Sequence, residues 1–153
     1  MTKIINWKTK ETIIEDENLS MKELVEKAVK DNISLAYADL KGANLSYADL
    51  SHTNLAGANL AGANLRGADL TGANLMYAFL KTVNLTSANL SYADLTGANL
   101  DYANLRYVDL RLVDLRGTYG DYGVYSSGAC LFRAKIRKDQ VDDLLKALGV
   151  KII

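Results

Sequence analysis

Leucine stands at every fifth position from Leu35 to Leu115, seventeen times without a miss. Two residues before each leucine is a small or β-branched residue: alanine in twelve cases, otherwise Ile33, Thr53, Val83, Val108 or Val113. The residue directly before the leucine is Asn or Asp in fifteen cases, with Ser34 and Phe79 as the departures. The unit is Ala-(Asn/Asp)-Leu-X-X. A period of five fits neither the roughly 3.6 residues of a helix nor the roughly 2 of a strand, so no single regular element keeps these leucines on one side. The chain must therefore turn once per pentad. If each pentad is one side of a coil, the leucine and the residue two before it point inward, and the Asn/Asp and both X positions point out. The second inward position has to be small, because two large groups per side would overfill a narrow interior.

Burial of one leucine contributes about 1.5–3 kcal/mol, whereas fixing five backbones costs about 5–10 kcal/mol. One coil alone cannot fold. Stacking on neighbours, with backbone ladders about 4.8 Å apart, supplies the remainder.

This repeat resembles that of the pentapeptide-repeat family, over more than half of the chain. The resemblance implies an all-β solenoid, a right-handed quadrilateral β-helix with four pentapeptides per coil. Seventeen pentads then make a little over four coils, a rod on the order of 20 Å tall. A hexapeptide-repeat acyltransferase, with a triangular coil and a period of six, is excluded by leucines spaced in fives.

The flanks read as short covers for the exposed edges of the solenoid, at both ends. Residues 1–32 form the N-terminal cover: Ile4–Trp7 and Thr12–Ile14 read as strands. Ser20 then opens a helix as N-cap, with Glu23 reaching back in a capping box, and the helix runs to about Lys30. Met21, Leu24, Val25 and Ala28 are its apolar stripe. The repeat proper covers 33–118. Residues 119–136 read as an irregular loop and a degenerate final coil, with Ala129-Cys130-Leu131 and Ala134-Lys135-Ile136 shifted by one residue. Residues 137–153 hold a second helix, from about Asp139 to Leu148, stopped by Gly149. Its apolar face, Val141, Leu144, Leu145 and Leu148, either covers the last coil or pairs with a second copy. All of this is expected to be one domain.

Charge changes the picture by what it removes. Eighteen Lys and Arg balance eighteen Asp and Glu over 153 residues, and no segment is a charged tail, so direct binding to nucleic acid or an anionic membrane is not expected. A single cysteine, Cys130, excludes an intramolecular disulfide. The N-terminus lacks the features of a signal peptide, and no apolar run approaches the roughly 20 residues that span a bilayer. A cytoplasmic protein is the expectation.

Candidate chemistry is sparse. Catalysis needs titratable groups converging in a concavity, and flat pentads offer few. His52, the sole histidine, falls on an outward X position and reads as a solvated imidazole; Cys130 has no histidine near it in sequence. No catalytic, cofactor or metal site is expected. With a four-sided coil, residues twenty apart become vertical neighbours. Asn44, Asn64, Asn84 and Asn104 then form a ladder of amides. Asp49, Asp69, Asn89 and Asp109 form a partial acidic stripe, open to three readings: a cation site, an imitation of a phosphate row, or, the preferred one, side chains accepting backbone N–H bonds at the corners. The last coil is richer, with Tyr102, Arg106, Tyr107, Arg111, Leu112 and Arg116 at outward positions; tyrosine and arginine anchor protein interfaces, although these six wrap around the coil and cannot all face one partner, and Tyr92 shares a column with Leu112. Phe79 reads as an isolated exposed aromatic that needs no function.

Three functions compete. The first is a non-enzymatic protein-binding or scaffold surface centred on the Tyr and Arg end, acting as a monomer or as a homodimer through the C-terminal helix. The second, implied by the resemblance, is a DNA-mimicking inhibitor or protector of a type II topoisomerase, of the quinolone-resistance type; the repeat nets only one negative charge, which argues against it. The third is a small enzyme with a pocket near 117–128.

Overall fold

The computed structural model describes residues 1–118. β1 (Thr2–Ile5) pairs antiparallel with β2 (Thr12–Asp16). The first strand thus lies earlier than the expected Ile4–Trp7, and the second extends two residues beyond Ile14 because Thr2 pairs with Asp16. Asn6 is the reason for the early end. Its side-chain oxygen accepts from the N–H groups of Lys8 and Thr9, at 2.9 and 3.1 Å, and turns the chain. Asn6 and Trp7 instead join the repeat: Asn6 bridges Ala38, and the Trp7 N–H donates to the Tyr37 carbonyl at 2.9 Å.

α1 (Met21–Lys30) begins with the expected capping box between Ser20 and Glu23. Leu24, Val25 and Ala28 are fully buried and belong, with Ile4, to the same core as the leucines of the first coil. The helix therefore packs onto the start of the stack. It is tied there by the Ile33 N–H donating to the Ala28 carbonyl at 2.8 Å.

The repeat forms a solenoid whose coil closes after four pentads. Parallel bridges join residues twenty apart without a break, from Asp39–Asn59 to Asp94–Asp114. All seventeen leucines are buried, none more than 5% exposed. The small inward positions are buried beside them, apart from the half-buried Ile33 and Ala43 at the first coil.

Each pentad turns at its two X residues. The N–H of the inward residue donates back to the preceding leucine carbonyl, as from Ala38 to Leu35 at 3.0 Å, and the second X residue has a φ of 56° to 70° in all seventeen pentads. A positive φ confined to the third position is the type II turn, which favours glycine. Here ten of the seventeen are not glycine, and six are tyrosine. The Asn/Asp residues brace these turns: every one of the fifteen accepts, through a side-chain oxygen, the N–H of the residue two further on, as Asn64 does from Arg66 at 3.2 Å. This is the Asx turn. The expected degenerate coil, Cys130, the second helix and the loop near 117–128 from residue 119 onward lie outside the described residues.

Candidate protein-binding surface

The outward side chains of a rigid coil are held where the turns put them. Tyr92, Tyr102 and Tyr107 stand 65%, 53% and 65% exposed at positive-φ positions, and Arg106, Arg111 and Arg116 are exposed on the residues that open their turns. Not all of them converge. Tyr92 and Leu112 are vertical neighbours, joined through the Tyr92 N–H and the Arg111 carbonyl at 3.0 Å, so Tyr92, Arg111 and Leu112 share one side. Arg106 and Tyr107 occupy the preceding side, Tyr102 the one before it, and Arg116 the following one.

The arginines are partly spoken for. The Arg111 Nε donates to both carboxylate oxygens of Asp109 at 2.8 Å, and its guanidinium holds that carboxyl below the ordinary carboxylate range. Arg116 donates to Asp114 in the same way, and Asp114 in turn raises the affinity of the guanidinium for its proton. These are planar, two-pronged pairs.

The acidic stripe behaves as braced turn residues. Asp49 accepts from the Ser51 hydroxyl at 2.7 Å and from its N–H at 3.0 Å, which lowers its pKa, and Asp69 accepts likewise from Thr71. Asn89 breaks the column and donates to the Thr71 hydroxyl at 2.8 Å. The amide ladder forms between Asn44, Asn64 and Asn84, with Nδ2-to-Oδ1 distances of 3.2 and 3.3 Å, but does not extend to the expected fourth member, Asn104. Among the described residues no group of three or more His, Cys, Asp or Glu side chains is placed to hold a metal ion. No helix among them is long and apolar enough to cross a membrane.

Two arrangements escaped the sequence reading. First, large residues at the second X position lie against the glycine of the next coil: Tyr37 on Gly57, Tyr47 on Gly67, His52 on Gly72 and Tyr77 on Gly97. His52 is exposed, as expected, but its ring rests on backbone. The signal was present as an aromatic followed twenty residues later by glycine. Second, Phe79 is not isolated. The indole of Trp7 meets it edge-on with ring centroids 5.5 Å apart, and meets Tyr37 at 6.2 Å. The Trp7 Nε1 donates to the Gly57 carbonyl at 2.8 Å. Trp7, Phe79, Asn59, Ala61, Lys81 and Asn99 line an open groove of about 310 Å³. Nothing local in the sequence links positions 7 and 79; the contact exists because the hairpin docks on the first coil.

The family model for pentapeptide repeats matches residues 38–75 and 78–117, in eight copies and over just more than half of the chain. No curated protein is significantly similar to it. Among solved structures, alr5209, a pentapeptide repeat protein from Nostoc PCC 7120, is 30% identical with a TM-score of 0.61, over 77% of this chain and 96% of its own. Rfr23, a pentapeptide repeat protein from the cyanobacterium Cyanothece 51142, is 35% identical with a TM-score of 0.49, over 63% of this chain and 58% of its own. HetL from Nostoc sp. strain PCC 7120, involved in heterocyst differentiation regulation, is 36% identical with a TM-score of 0.46, over 67% and 50%. This chain thus spans 58% and 50% of the length of the latter two.

Proposed function

Because the chain belongs to the pentapeptide-repeat family, we propose that it is a non-enzymatic protein whose rigid exterior binds another protein, through the side bearing Tyr92, Arg111 and Leu112 and the neighbouring Arg106, Tyr107, Tyr102 and Arg116. In this reading the coil is the right-handed, four-sided β-helix of that family, closed by helices at both ends, acting in the cytoplasm as a monomer or as a homodimer through residues 137–153. The observation that carries it is the exposure of three tyrosines, each more than half accessible, on a backbone that each coil locks to the next. Side chains presented on a fixed backbone lose little freedom on binding, which is where rigid surfaces gain affinity.

The alternative, a DNA-mimicking topoisomerase inhibitor, finds less support. Its phosphate-like row would be Asp49, Asp69, Asn89 and Asp109, of which one is an amide and one is already paired with Arg111. The pocket near 117–128 that a small enzyme would use lies, from residue 119 onward, outside the described residues.

The test is capture of partners from the native host by the intact protein and by a variant with Tyr102, Tyr107 and Arg111 replaced by alanine. Partners held by the first and lost by the second support the surface. Partners held equally by both remove it.

A further inference from the structure

One side of the stack departs from its own rule. In sixteen of the seventeen pentads the residue before the leucine, Ser34 included, accepts the N–H of the first X residue. Phe79 cannot, so no side chain accepts from the Lys81 N–H. It also interrupts the column Asp39, Asn59, Phe79, Asn99. Asn59 donates to Asp39 at 3.2 Å, but the ladder stops there, and the Asn99 Nδ2 has no acceptor among the described residues. An asparagine at 79 would return an acceptor to the Lys81 N–H, as at every other Asn or Asp of the repeat, and would place an amide between Asn59 and Asn99. In exchange the coil receives a phenyl ring that remains 38% exposed. A position that breaks the local rule without a matching gain in burial is where function is to be sought.

The neighbours of Phe79 say what it would hold. Trp7 is pinned against it by its own Nε1 bond to Gly57, so two aromatic rings form a fixed apolar wall. Ala61 leaves the space beside them open, and the groove of about 310 Å³ lies at the small end of ligand sites, room for one planar ring. Asn59 is engaged at both ends, since its oxygen accepts from Ala61 N and its nitrogen donates to Asp39. The cations beside the groove are the Lys81 ammonium, whose Asp101 partner is 3.6 Å away, and the exposed Lys41 in the same column above, with the Asn99 Nδ2 as a further donor.

We propose that this groove takes the aromatic side chain of a partner peptide whose flanking residues are carboxylates. The assignment rests on the reading of the chain as a binding surface but not on the Tyr and Arg coil. Trp7 is the sole tryptophan, so its emission reports occupancy directly. The intact protein is titrated with an acidic pentapeptide bearing one central phenylalanine, with the same peptide bearing central alanine, with a lysine-flanked phenylalanine peptide, and with maltose. The expected result is a saturable change for the first, at least tenfold tighter than for the other three. By calorimetry, Phe79→Asn weakens that binding at least tenfold while its Tm stays equal or rises, because the Lys81 N–H regains an acceptor; Lys81→Ala weakens it several-fold and flattens its salt dependence. No saturable response, equal binding of the alanine peptide, preferred binding of maltose, or undiminished binding by Phe79→Asn or, should that variant not fold, by Lys81→Ala overturns the proposal. If native partners survive Phe79→Asn and are lost with the Tyr102, Tyr107 and Arg111 variant, the groove falls and the binding-surface reading stands.

Discussion

Tyr77 rests its ring against Gly97 of the following coil, so closely that a Cβ at Gly97 would lie 2.5 Å from two ring carbons. Both residues occupy the left-handed position of a turn, with φ of 57° and 69°. The tyrosine bears the cost of a side chain in that region, and the missing Cβ below makes the space in which its ring packs.

This relationship separates two costs of replacing glycine. Gly42→Ala meets only the strained backbone, since nothing lies within 4 Å of the added Cβ, and should cost about 1 kcal/mol. Gly97→Ala pays the same and displaces the Tyr77 ring, for about 2 kcal/mol in all. In a Tyr77→Ala background the excess should vanish. A double-mutant cycle by urea unfolding measures this, and additive costs would show that the ring contributes nothing.

The axis should tolerate least. Leu75 is fully buried in the middle of the stack, and Leu75→Ala is expected to cost about 2–5 kcal/mol, because the rungs above and below hold the walls apart and the cavity cannot collapse. Thermal unfolding followed by circular dichroism checks it; a loss under about 1 kcal/mol would mean that the coils close up, contrary to a ladder-fixed interior.

The amide ladder makes a graded prediction. Asn64 donates to Asn44, accepts from Asn84 and braces the Arg66 N–H. Asn64→Ala removes all three bonds at a half-buried site and should cost about 1–2 kcal/mol. Asn64→Asp keeps both acceptor roles and should cost about half as much. Denaturant midpoints compare the two, and equal losses would deny the ladder any share.

Acid should weaken the fold in a defined window. The carboxyls of Glu23, Asp49 and Asp109 are held below their ordinary values of 4.5, 3.8 and 3.8, by the Ser20 backbone and hydroxyl, the Ser51 hydroxyl and the Arg111 guanidinium respectively. A lowered pKa in the folded chain means that the unfolded chain takes up protons first as pH falls. Their stabilising contributions are therefore complete above those ordinary values and are lost as pH drops through the lower folded ones. Tm measured from pH 7 downward should hold level and then fall below about pH 4.5. Glu23→Gln should lower the plateau and shallow the fall; an unchanged acid limb would show that this capping carboxylate is not part of it.

Much of this molecule was legible because the repeat is a local rule applied seventeen times. Leucine in fives dictated the turning chain and the buried axis, and Ser20 with Glu23 marked the start of α1 to the residue. Asn and Asp before each leucine announced bonds to nearby N–H groups, since their reach is two residues along the same chain. The left-handed turns were less visible, because tyrosine at a position that favours glycine contradicts its intrinsic preference; Tyr37, Tyr47 and Tyr77 rest their rings on a glycine of the next coil.

What the tertiary structure alone decided is which distant residues meet. The strand ended at Ile5 instead of Trp7 because Asn6 turned the chain and Ala38 took its backbone. Trp7 came to Phe79 across seventy-two positions for the same reason, and so an aromatic that looked solitary in the sequence became one wall of a groove. A repeat specifies the contacts between each residue and its counterpart twenty positions on. The docking of a non-repeating flank on that stack follows no period, and only the assembled coil determines where it lands.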